Sequence, residues 1–168
     1  DNRGHVRVYK YDATKTTAQL NQSLPKYGPA LWNRLGNDIN GNGVGSGSGI
    51  SVSLSADGTT VAMGSQSNIT YIYKYNTNTN NWIQQGQGII GEGQYDSSGY
   101  AVSISADGTI VAIGSYNYSA DINNAINSGQ VRVFKYDTNT NLWVQLGGNM
   151  NGTVTNQNIG ISVSISGD

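Results

Sequence analysis

Carboxylates in predicted loops are the side chains of this chain best suited to hydrolytic chemistry. Glu92, Asp96 and Asp121 are the candidates. Two carboxylates that face each other across a glycosidic bond can act as acid and base or nucleophile, but nothing in the sequence brings two of these three together. Asp57 and Asp107 recur before glycine, and the geometry of a tight turn explains them better than catalysis. The sequence therefore assigns no catalytic residue.

Other side chains common in active sites are scarce. His5 is the only histidine, and the chain has no cysteine. The usual nucleophilic triads and transition-metal sites therefore have no support. His5 directly precedes a predicted strand, where we expect it at the surface. No cofactor is predicted.

One segment mimics the start of a calcium-binding loop. Residues 38–43 read Asp-Ile-Asn-Gly-Asn-Gly, so Asp38, Asn40 and Asn42 would be the ligands. The distal bidentate acid of such loops is missing. A turn rich in glycine and asparagine is the favoured interpretation, and calcium binding is not supported.

Four Asn-x-Ser/Thr sequons predict N-glycosylation, a modification of secreted proteins. In a chain this rich in Asn, Ser and Thr, about that many sequons also arise by chance. Together they favour an extracellular, cell-surface or virion-surface glycoprotein. The four acceptors are Asn21, Asn68, Asn117 and Asn151.

The elements that must position these residues belong to a repeat. Residues 51–65 return with few changes as 102–115, and the same phrase begins again at 162–166. A period of roughly 50 to 60 residues built from short strands is typical of propellers.

Each repeat is predicted to hold four short strands. The first alternates serine with apolar residues, and an Asp-Gly hairpin follows in which both central residues are expected to have positive φ. The third strand is rich in aromatic residues, and the fourth opens with tryptophan. Because the tryptophans recur at one position, packing between blades is favoured over sugar binding for Trp32, Trp82 and Trp143.

The predicted fold class is all-β, with propeller-type four-stranded antiparallel blades. One repeat region covers 1–168, and it divides into a partial blade with an insertion (4–48), a blade (49–98), a blade with an insertion (99–159) and the first strand of the next blade (160–168). Propellers close with 4 to 8 blades. About three blade equivalents therefore predict part of a larger propeller, or copies that assemble through unpaired strand edges.

The repeats resemble two known families. Gly49-Ile50, Asp57-Gly58 and the 61–65 segment resemble the FG-GAP repeat of integrin-α-like propellers, as does 129–134. Segment 136–143 is similar to the kelch pattern, although the kelch Gly-Gly doublet is missing. FG-GAP resemblance implies an Asp-rich calcium site between the first two strands. Here that connection has shrunk to 56–58, which cannot supply six or more oxygens, so the site is not carried over.

Composition limits the partners. Charged residues are only 11% of the chain and the formal net charge is -1, so nucleic acid is not expected. No apolar run approaches the roughly 20 residues of a membrane span. We expect a non-enzymatic extracellular or surface propeller for adhesion, one that binds a protein or carbohydrate or builds an assembly. Its contacts would lie in the insertions 13–31 and 116–128. The alternatives are a filament or shell subunit, or a propeller hydrolase or lyase acting on polysaccharide.

Overall fold

The computed structural model describes residues 2–12, 32–120 and 125–167. Within these ranges all regular secondary structure is β strand, and there is no helix. In chain order the strands are β1 (His5–Tyr11), β2 (Trp32–Asn40), β3 (Ser51–Leu54), β4 (Thr60–Gly64), β5 (Ile69–Asn76), β6 (Asn81–Gln84), β7 (Ile89–Ile90), β8 (Ser98–Ile104), β9 (Ile110–Ser115), β10 (Gln130–Asp137), β11 (Leu142–Gln145) and β12 (Met150–Asn151).

The strands form antiparallel sheets that match the predicted repeats. Strands β1 and β2 pair alone, β3-β4-β5-β6 form a second sheet, and β8-β9-β10-β11 form a third. The short strands β7 and β12 extend the fourth strand of their sheets, because they pair with β5 and β10 respectively. The prediction of an all-β fold with propeller-type blades is confirmed.

The Asp-Gly turns differ from their prediction in one respect. Gly58 has φ 71°, but Asp57 keeps negative φ. Asp57 instead uses its carboxylate, which accepts hydrogen bonds from Ser55 Oγ at 2.6 Å and Thr59 N at 2.9 Å. The turn therefore has one left-handed residue, Gly58, and not the two that were predicted. The hydrogen bonds of the short Asp57 side chain hold the turn in this form.

Two apolar clusters fill the spaces between sheets. The cluster between the second and third sheets includes Ala62, Ile72, Val102 and Trp143. The tryptophans of the fourth strands also bond to the preceding sheet: Trp82 Nε1 donates to the carbonyl of Leu35 at 2.7 Å, and Trp143 Nε1 to that of Gln85 at 2.8 Å. The packing role predicted for these two tryptophans is confirmed.

Serine hydroxyls join β3 to β8, and β8 to segment 161–167, which forms no strand. Ser53 Oγ accepts from the amide of Ile104 at 3.1 Å, and Ser103 Oγ accepts from the amide of Ile165 at the same distance. Strands β3 and β8 are the edge strands of their sheets, so the hydroxyl of Ser53 satisfies an amide of β8 that no sheet partner reaches. Over the described ranges there is no helix with the length and apolar character to cross a bilayer.

Candidate functional site

A charged cluster lies where the loop after β7 meets the beginning of β10. Glu92 occupies the loop and Arg132 lies on β10, with Arg132 Nη1 3.9 Å from Glu92 Oε1. The side chain of Arg132 is 7% exposed and that of Glu92 is 38% exposed. The cluster therefore presents a carboxylate to solvent with a buried guanidinium behind it.

Two amides hold the carboxylate of Glu92. Gln130 Nε2 donates to Oε2 at 2.9 Å, and Asn149 Nδ2 lies 3.0 Å from Oε1. The hydrogen bond from Gln130 is the largest cause that lowers the pKa of Glu92; Asn149 and the charge of Arg132 act in the same direction, and burial opposes them. Glu92 is thus ionised at neutral pH and can accept a proton, while the lowered pKa also makes it a weaker base than an ordinary glutamate.

Arg132 is itself incompletely paired. Its Nη2 donates to the carbonyl of Ile90 at 2.7 Å, and its guanidinium lies 5.3 Å from the ring centre of Phe134. Burial lowers the pKa of Arg132, while the charges of Glu92 and Asp96 oppose that change. Within the described ranges, its Nε and the Oε1 of Gln130 are buried and make no hydrogen bond. Buried polar atoms without partners are rare in proteins, and a bound water molecule or a catalytic role is among the explanations for them.

The structure brings two of the three predicted carboxylates to one loop. Asp96 is buried and its carboxylate accepts the amide hydrogen of Gly93. That contact gives Asp96 a role in holding the loop, whereas Glu92 faces outward. Asp121 lies outside the described residues. Glu92 is therefore the carboxylate of this loop that is open to a ligand.

Sequence reasoning named Glu92 but missed its partners. Glu92 is the only glutamate in the chain. Gln130 and Arg132 are two residues apart on β10, so they share one face of that strand. Two long polar side chains on the face of β10 that continues with Phe134 were the signal in the sequence. This signal did not identify the partner across the blade.

The turn favoured for residues 38–43 begins later than expected. Asp38 and Asn40 lie in strand β2, where Asn40 pairs with His5 of β1. Asp38 accepts from Arg7 Nε at 2.7 Å and lies 2.7 Å from Arg34 Nη2. The bond from Arg7 is the largest cause that lowers the pKa of Asp38. Its carboxylate therefore faces two guanidinium groups, and the described residues hold no cluster of three or more His, Cys, Asp or Glu suited to a metal.

The sequons differ in what their side chains do. Asn68 is buried; its Nδ2 donates to the carbonyl of Gly93 at 2.6 Å, and its Oδ1 accepts from the amide of Ser98 at 2.6 Å. It fastens the loop that carries Glu92, and in the folded protein it is closed to glycosylation. Asn117 donates to Ser97 Oγ at 2.9 Å. Asn21 lies outside the described residues.

The two predicted contact insertions can be placed only in part. Segment 13–31 lies outside the described residues, as does 121–124 of the second insertion. The rest of the second insertion is joined to the following loop: the amide of Asn156 donates to the carbonyl of Ile126 at 2.8 Å, and that of Ile159 to Ser128 at 3.0 Å. Its partner-binding role stays a prediction.

Comparison with known proteins identifies the fold. No protein-family model matches the chain, and no curated protein does. Solved structures that match include a putative 6-phosphogluconolactonase from Bacteroides fragilis, at 14% identity over 81% of this chain and 33% of that one, with a TM-score of 0.52. A periplasmic gluconolactonase from Pseudomonas aeruginosa matches at 17% identity over 92% and 35%, with a TM-score of 0.50. The chain spans about a third of the length of these proteins.

These matches support a propeller-like fold, and the resemblance to FG-GAP and kelch repeats stays a prediction. They also correct the expected function. Both proteins bear the names of enzymes, whereas the sequence led us to expect a non-enzymatic binding propeller.

Proposed function

We propose that this chain belongs to a propeller hydrolase that opens the ester bond of a sugar-derived lactone, with Glu92 as general base. The observation that carries the proposal is the carboxylate of Glu92, held ionised by Gln130 and Arg132 yet 38% exposed. This proposal keeps the hydrolase of the earlier alternative, a hydrolase or lyase acting on polysaccharide, and replaces its polysaccharide substrate with a lactone.

Within the part of the chain that the structure describes, the number of free carboxylates around Glu92 favours lactone over glycoside chemistry. A glycosidase needs a second carboxyl group to protonate the leaving oxygen, but Asp96 is occupied by the amide of Gly93. An ester carbonyl is reactive enough for a single base that activates water. The names of the two propellers, both lactonases, support the same choice.

The reaction follows from the position of Glu92. Its carboxylate takes a proton from a water molecule as the water oxygen attacks the lactone carbonyl carbon. The bond between that carbon and the ring oxygen then breaks, and the departing ring oxygen takes the proton back from Glu92. Water and lactone are consumed and one hydroxy acid forms. Arg132, behind the carboxylate, favours the ionised state in which Glu92 begins each turnover.

The test is acid release from D-glucono-1,5-lactone, followed in a pH-stat above the spontaneous rate. Glu92→Gln should lower kcat about 100-fold or more, the usual contribution of a general base. Asp137→Asn is the matched control, since Asp137 lies at the far end of β10 from Gln130, about 23 Å away. The proposal fails if the wild-type protein does not exceed the background rate, or if Glu92→Gln is as active as wild type.

A further inference from the structure

Tyr100, near the start of β8, is exposed beside an irregularity in that strand. Ser98 pairs with Ser115 and Ala101 with Gly114, so the register shifts between them, at Gly99 and Tyr100. Bulges of this kind redirect side chains and are frequent next to active sites. Tyr100 is 45% exposed, whereas Val102 at 8% is buried two residues further along the strand.

Tyr100 is fixed in place by a second ring. Its centroid lies 4.5 Å from that of Tyr116, with 58° between the ring planes. Tyr116 directly follows the end of β9. Aromatic pairs at this separation attract each other. The ring of Tyr100 is therefore already ordered, and little side-chain conformational entropy is lost when a ligand covers its exposed face.

The other repeats show that packing does not require aromatic residues here. Ile50 and Ile161 occupy the position of Tyr100 in the neighbouring repeats, and both are exposed. Gln66 occupies the position of Tyr116. Within the described ranges the tyrosine pair is thus particular to the blade that follows the loop of Glu92.

One short loop connects this pair to Glu92. Its two ends are fastened by Asn68, which bonds to Gly93 and Ser98. Its middle is fastened by the amide of Asn117, which donates to the carbonyl of Asp96 at 3.2 Å. Glu92 and Tyr100 therefore lie at the same end of the blades, at the two ends of a fixed segment.

We propose that Tyr100, supported by Tyr116, is the platform on which the sugar-derived ring of the substrate stacks; this inference rests on the hydrolase function proposed above. The face of a pyranose-like ring carries C–H groups that pack on an aromatic face, while its hydroxyls stay in water. Binding sites commonly combine one such apolar surface with a few placed polar groups, here those around Glu92.

The test is calorimetric titration of the purified protein with D-glucono-1,5-lactam, a ring analogue that resists hydrolysis. Tyr100→Ala should weaken binding about tenfold, and Tyr100→Phe should stay within about twofold of wild type. Ile161→Ala is the matched control, because it truncates the equivalent exposed side chain of another repeat. Tyr116→Leu should weaken binding about threefold. This variant tests the proposal if Tyr100→Ala does not fold.

Wild-type affinity in Tyr100→Ala or in Tyr116→Leu overturns the platform, as does a wild-type protein that does not bind the lactam. An equal loss in Ile161→Ala overturns it too. The two proposals fail separately. If the protein binds the lactam through Tyr100 but does not hydrolyse the lactone, only the hydrolase proposal fails. If it hydrolyses the lactone and Tyr100→Ala leaves KM unchanged, only the platform proposal fails.

Discussion

The side-chain amide of Gln130 donates to the carboxylate of Glu92 at 2.9 Å across the boundary between two blades. Gln130 begins β10 in the third sheet, while Glu92 belongs to the loop that leaves the second. The ionisation of Glu92 is therefore controlled by a residue that arrives with the next blade, so the site exists only where two blades are packed together.

Replacing Gln130 should move the pH dependence of hydrolysis. Gln130→Leu removes the largest cause of the lowered pKa of Glu92, so that pKa rises and the base is protonated at higher pH. The acid limb of the kcat/KM profile should shift upward, measured from pH 3 to 8. Gln84→Leu, which removes an exposed amide bonded to the carbonyl of Gly86, should leave the limb in place; an unshifted limb in Gln130→Leu would contradict the assignment of Glu92.

The turn at Asp57 should make stability depend on acid. Hydrogen bonds from Ser55 and Thr59 lower the pKa of Asp57 to about 2, so its contribution is fully present above the unfolded value of about 3.9 and is lost as pH falls toward 2. Asp57→Asn should lower Tm at pH 6 by roughly 2 °C, with the difference vanishing near pH 2. Melting curves across this range check it, and a difference that persists at pH 2 would contradict it.

The two tryptophans at the ends of the blade stack should differ in importance. Trp143 is 3% exposed and bonded to the carbonyl of Gln85, whereas the equivalent Trp32 is 56% exposed. Trp143→Phe should cost about 1–3 kcal/mol of unfolding free energy, because it leaves a cavity and an unpaired carbonyl. Trp32→Phe should stay within about 0.5 kcal/mol. Urea titration measures both, and equal losses would refute the packing role.

A glycine at the blade interface should tolerate no side chain. A Cβ on Gly64 would lie 1.9 Å from the carbonyl oxygen of Gly99, which is backbone and cannot rotate away. Gly64→Ala should therefore lower stability by about 3 kcal/mol or more, since the blades must separate. Gly43→Ala is the control, because nothing lies within 4 Å of its added Cβ. Comparable midpoints for the two variants in urea would be the contrary result.

The fold was predictable because its determinants are local. Alternating serine and apolar residues specify the strand, Asp-Gly closes the hairpin, and the recurrence of Trp82 and Trp143 marks a packing position. Each of these signals spans only a few neighbouring residues and is written more than once. Agreement among the copies separates a structural requirement from chance.

The site was less predictable because its contacts are not local. Glu92 meets Gln130 and Asn149 from 38 and 57 residues further along the chain, and no pattern of spacing records such a meeting. The turn favoured for residues 38–43 was placed too early in the chain for a related reason. Asp38 and Asn40 alternate as ligands of a calcium loop do, but alternation is also the period of a β strand, and Arg7 supplied the partner that decided between them.

The serine hydrogen bond between the first segments of successive repeats has a consequence for the duplication of repeats in the gene. Ser53 serves Ile104 as Ser103 serves Ile165, so each unit carries the acceptor for its successor and the donor for its predecessor. Duplication of one unit copies both halves of the junction at once. A gene of this kind can lengthen or shorten by whole units without evolving a new interface, and substitutions for new chemistry can accumulate in loops such as the one that carries Glu92.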